Sequence, residues 1–110
     1  MQQTYAAQFE RDMGCTVTEW RTWLQAALPH HVCPLDATHT AVSVHEPPAP
    51  GEPAQQGLLR LHWEELPARR IALLRIPRLR VRFDFDDGLS EAARTRFMRR
   101  LDLFLQRGGG

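Results

Sequence analysis

Residues 69–106, RRIALLRIPRLRVRFDFDDGLSEAARTRFMRRLDLFLQ, read as two strands, a turn and a long amphipathic helix. At the centre Leu79, Val81, Phe83 and Phe85 alternate with Arg78, Arg80, Arg82 and Asp84, the period of two that marks a strand buried on one face. Asp86, Asp87 and Gly88 then break the strand, because Gly supplies φ > 0 and Asp bonds its own backbone in a turn. Ser90 is placed to cap a helix and Glu91 to favour the positive end of its dipole. Along that helix Ala93, Phe97, Leu101 and Phe104 recur at helical spacing, with Leu105 widening the stripe.

Working outward toward the N-terminus, Ile71, Ala72, Leu73 and Leu74 are consecutive apolar residues, so a strand over 70–76 has no wet face by alternation. Pro77 is expected to separate it from the strand that follows, as a tight turn or a bulge. Leu59, Leu61 and Trp63 alternate with Arg60, His62 and Glu64 in a strand closing at Leu66 and Pro67. Residues 46–57, with four prolines and two glycines, read as a flexible loop. Thr40, Val42 and Val44 mark another strand, and residues 29–38 an irregular connection. Thr16 and Glu19 stand in the relation of a capping box, opening a helix whose stripe is Val17, Trp20, Leu24 and Ala27. Tyr5, Phe9 and Met13, four apart, suggest a short helix before it that Gly14 stops.

The assembled expectation is an α+β fold in the order α-α-β-β-β-β-α. A four-stranded, mostly antiparallel meander follows two short helices and is covered on one face by the C-terminal helix. At 110 residues the chain is one domain over 1–110, with residues 108–110 a frayed glycine tail. The three glycines superficially resemble the tails of ubiquitin-like carriers. Those proteins, however, place their helix between two hairpins, whereas this tail follows directly on a helix.

All fourteen basic residues are arginine and none is lysine, a bias that fits a GC-rich coding sequence and is discounted as functional evidence. The charge is nonetheless uneven: residues 1–68 carry a net −5 and residues 69–110 a net +6. Two cysteines, Cys15 and Cys33, are too few for a disulfide scaffold. No leader pattern and no apolar window of about 18 residues is present, so a soluble, cytoplasmic chain with no membrane partner is expected.

Motifs for chemistry are sparse. His30, His31, Cys33 and His39, with Cys15 and His45 farther off, lack the paired spacings of a zinc site, so no metal and no cofactor is expected. No nucleophile elbow or phosphate-cradling glycine loop occurs, and the chain is read as non-catalytic. The leading expectation is an interaction module that self-associates as a homodimer or meets a protein partner through Ala72, Leu74 and Ile76, an apolar strip with a basic rim. A second is a small-molecule-binding protein or small enzyme with a pocket between sheet and C-terminal helix, lined by Trp63, Phe83, Phe97 and Met98 with His62 or Arg75 at its mouth. A third is an anion or nucleic-acid surface formed by Arg60, His62, Arg80 and Arg82, although no outward aromatic accompanies them for base stacking.

Overall fold

The computed structural model describes residues 5–47, 50–51 and 53–108. Its elements run β1 (Gln8–Met13), α1 (Val17–Ala27), β2 (Val32–Pro34), β3 (His39–Glu46), β4 (Gln55–Ile71), β5 (Leu74–Phe85) and α2 (Glu91–Gly108). The strands form one five-stranded sheet in the order β1-β5-β4-β3-β2 with every neighbouring pair antiparallel. The two edge strands therefore run parallel to each other, and α1 carries the chain between them.

The order is β-α-β-β-β-β-α, which corrects the expected four-stranded meander behind two helices. The segment read as a first helix is β1, paired with β5 from Gln8↔Asp84 to Met13↔Leu79. A spacing of four fits a strand as well as a helix, and the deciding residue is Arg11, which shares a face with Phe9 and Met13. Its guanidinium lies 5.4–5.7 Å from the rings of Tyr5, Phe9 and Phe83, so a charged side chain occupies an apolar register position. The connection read as irregular contains β2, a three-residue edge strand held by the register Val32↔Val42 to Pro34↔Thr40.

The second correction lies in the stretch that organises the chain. No separate strand covers 70–76 and Pro77 makes no turn: the chain reverses at Ala72 and Leu73, between Ile71 and Leu74, and Pro77 lies inside β5. Ala72 sits at φ 54, a left-handed conformation that turns normally assign to Gly or Asn, so the reversal carries no turn residue. The irregularity falls instead on β4, where the register shifts between Leu66 and Arg69, around Pro67.

Both helices pack on one face. Trp20 and Leu24 from α1 and Ala93, Phe97, Met98, Leu101 and Leu105 from α2 share a single core with Val42, Val44, Leu59, Leu61, Trp63, Leu79, Val81, Phe83 and Phe85. Helix α1 starts on a complete capping box between Thr16 and Glu19, and the Ser90 hydroxyl accepts from the Ala93 N–H at the start of α2. The turn before α2 is pinned by Asp86, which accepts from the N–H groups of Leu58 and Gly88. Gly57 is required there: a Cβ on it would lie 2.4 Å from an Asp86 carboxylate oxygen. The opposite face of the sheet bears no helix among the described residues.

Candidate functional site

Cross-strand partners share a face, so the register identifies the uncovered surface: Gln8, Glu10 and Asp12 on β1, Arg80, Arg82 and Asp84 on β5, Arg60, His62 and Glu64 on β4, and His39, Ala41 and Ser43 on β3. Arg60, His62, Arg80 and Arg82, singled out from the sequence, are thus brought together. They are also interleaved with acid. Arg80 lies 3.7 Å from both Glu10 and Asp12 and 3.4 Å from Glu64, and Arg78 is 2.9 Å from Asp12. His62 stacks on His39 with ring centroids 4.1 Å apart, and His39 Nδ1 lies 2.9 Å from Asp36. The Thr38 backbone N–H, followed by His39, draws the Asp36 carboxyl down to about 2.

The pocket candidates divide differently. Trp63, Phe83, Phe97 and Met98 are core residues packed under the helices, while Arg75 is exposed on β5, far along the strand from them. Arg75 lines only a small hollow of about 180 Å³ with Cys15, Thr16 and Glu65, and the larger hollows lie elsewhere. One of about 360 Å³ opens between β1, α1 and α2 beside Arg11, Cys15, Trp23 and Asp102. A larger, mostly apolar one of about 650 Å³ lies between α1 and the β2 edge, beside Leu24, Ala26, Pro29, Val32 and Thr40. Burial pushes the Cys15 thiol up to about 11, with Glu19 adding to the shift, so the thiol in the first hollow is protonated at neutral pH.

Two polar networks were not legible as sites. Arg11 donates to both oxygens of Asp102, at 2.6 and 3.0 Å, and Tyr5 donates to the same carboxylate at 2.6 Å. Burial pushes the Asp102 carboxyl up, but the hydrogen bonds from Arg11 and Tyr5 outweigh it and hold the group below its ordinary value. Burial, reinforced by the Asp102 hydrogen bond, raises the Tyr5 hydroxyl. At the other end of the core the fully buried Glu46 is gripped by Arg96 and Arg100, four residues apart on α2. The one sequence signal for these pairs is an arginine in an apolar register and two arginines one helical turn apart. Both networks lock α2 onto the sheet.

The interface candidates lie on an arm. Strand β1 pairs with β5 no farther than Met13↔Leu79, and β3 reaches β4 no farther than His39↔His62. Residues 66–78 therefore project beyond the sheet as a two-stranded ribbon. At its end Ile71 is 50% exposed, Leu74 65% and Leu73 fully exposed. Of the three residues named from sequence, Leu74 and Ile76 lie on the side continuous with the open face, Ile76 half-buried beside Gly14, and Ala72 forms the turn. One register step behind the Ile71↔Leu74 pair, Arg70 and Arg75 are direct cross-strand partners. Like charges directly opposite destabilise a ribbon, and neither these two nor Arg69 has an acidic partner among the described residues.

Among the described residues no three His, Cys, Asp or Glu side chains are grouped so as to hold a metal ion; His31 lies beside His45, with rings 6.2 Å apart, and Cys33 is exposed. No described helix is long and apolar enough to cross a membrane. No family model matches the chain, and no curated protein or solved structure is detectably similar to it.

Proposed function

We propose that the chain is a non-catalytic interaction module of the cytoplasm that docks through its β4–β5 arm. The observation that carries this reading is the placement of Ile71, Leu73 and Leu74 in solvent at the end of a ribbon whose base rests on β1 and Gly14 and whose tip pairs with no third strand. A bare two-stranded ribbon is marginal in water, and large aliphatic side chains at its tip add nothing to the stability of the fold. The test is a photoreactive residue at position 73, compared in living cells with the same residue at position 103, where Leu103 on α2 is also exposed, at 54%. Crosslinks concentrated at 73 are expected; equal yields, or none, overturn the reading.

A second copy of the chain is the second reading, favoured by the side of the arm on which Ile71, Leu74 and Ile76 align with Arg70 and Arg75 turned away. Light scattering that shows a dimer in the wild type and a monomer in Leu74→Asp supports it. The arginine face is a weaker candidate for nucleic acid, because Arg80 is shared among Glu10, Asp12 and Glu64, and no Phe, Tyr or Trp joins it there. The 650 Å³ hollow beside β2 is the place for a small apolar ligand, in the size range of ligand sites but under α1, not α2.

A further inference from the structure

We infer that the arm is built to enter the headgroup layer of an anionic phospholipid surface, an inference that rests on the docking reading above and names its partner. The argument starts from charge. Residues 66–83 contain six arginines and no Asp or Glu. Arg78 and Arg80 are held by acidic neighbours, but Arg69, Arg70 and Arg75 have none among the described residues. Three uncompensated guanidiniums, two of them direct cross-strand neighbours, call for an anion that brings several oxygens to one place, as a layer of phosphodiester headgroups does.

The order of residues along the arm supplies the second argument. From the tip backward come the turn residues Ala72 and Leu73, then the pair Ile71↔Leu74, then Arg70↔Arg75, then Arg69↔Ile76. A strand rises about 3.3 Å per residue, so the aliphatic tip extends roughly 7 Å past the first arginine pair. Amphipathic elements at a bilayer surface sink their apolar parts about 5–10 Å, to the boundary of headgroup and acyl chain. With the leucines at that depth, the arginine collar stands at the level of the phosphates. The arm neither spans nor anchors; it touches reversibly, and the acidic residues Glu64 and Glu65 at its base mark where attraction ends.

The rival occupants fit less well. Tip-to-tip contact with a second copy sets one arginine collar against another, and three tip side chains fall short of the roughly 800 Å² per partner that a stable interface buries. Single-stranded nucleic acid favours aromatic platforms, and the arm has none.

Vesicle flotation of the full chain tests the inference, with vesicles of phosphatidylcholine alone and of phosphatidylcholine with about a third phosphatidylglycerol. The wild type is expected to float with the anionic vesicles and not with the neutral ones, and to be released by high salt. Each lost arginine is expected to weaken binding about fivefold, so Arg70→Gln with Arg75→Gln weakens it about 25-fold. Leu73→Asp with Leu74→Asp is expected to weaken it more than tenfold at an unchanged thermal midpoint, because both side chains are in solvent. A folded wild type that ignores anionic vesicles overturns the inference. So does binding that survives the leucine substitutions, or retention of duplex DNA in preference to lipid. Failure on vesicles with crosslinking still concentrated at position 73 removes the lipid partner alone; failure of both removes the docking reading as well.

Discussion

Residues 79–85 of β5 have a strand on each side, and residues 74–78 have only β4. In the first stretch every second side chain is apolar and buried, and of the two arginines facing out, Arg80 and Arg82, the first is surrounded by Glu10, Asp12 and Glu64. In the second, Leu74 is in water and Arg75 has no counter-charge among the described residues. Both stretches carry apolar residues and two arginines. What differs is the company each keeps, and stability should follow the company.

The largest expected effect is in the supported half. Phe83→Ala removes a ring stacked on Phe9 at 4.7 Å in the middle of the core and should cost about 3–5 kcal/mol, enough to unfold a marginal domain in a urea titration. Leu74→Ala, an aliphatic deletion on the same strand, should stay within about 0.5 kcal/mol. Equal losses at the two positions would erase the distinction. Close behind comes the clamp on α2: Arg96→Ala with Arg100→Ala strands the buried Glu46 carboxylate without its partners and should cost about 3–5 kcal/mol by the same titration.

Asp102→Asn should cost about 1–3 kcal/mol, because it weakens charge-assisted bonds from Arg11 and Tyr5. It also sharpens the comparison through pH. The Asp102 carboxyl is held below its ordinary value in the folded chain, so its contribution is present above the usual carboxylate range and is lost as pH falls through and below it. The wild type should therefore lose stability in acid more steeply than Asp102→Asn. The arm variant Arg70→Gln with Arg75→Gln, which alters no group titrating in that range, should keep the wild-type acid limb. Smaller than either network, Arg80→Ala should cost about 0.2–1 kcal/mol, since its ion pairs are largely exposed.

How far the sequence showed this structure depends on which force set each element. The run from Leu79 to Gln106 was largely legible because one-sided burial writes itself as alternation in a strand and as a 3.6-residue stripe in a helix, although Phe104, read into that stripe, is exposed and Met98 is buried in the core. The capping box at Thr16 and Glu19 was legible because its chemistry is local. Strand β1 was not, because Arg11 earns its inward position only through Asp102, ninety-one residues away. The turn at Ala72 was hidden because it uses a left-handed alanine where a reader looks for glycine. The outward position of Arg80 and Arg82 followed from alternation, their grouping with Arg60 and His62 needed the β4–β5 pairing, and the pairing of Arg80 with Glu10 and Asp12 depended on the strand that was missed. The apolar strip was noticed as consecutive leucines and isoleucine; that it ends a free arm required the register.

Amide hydrogen exchange across β4 and β5 measures the central contrast in one experiment. Residues 79–85 should exchange only through global opening, and residues 69–75 orders of magnitude faster through local fraying, with protection of the arm appearing when anionic vesicles are added. Uniform slow exchange along the whole of β5 in the protein alone would mean that the arm is already covered, and would contradict its assignment as a free docking element.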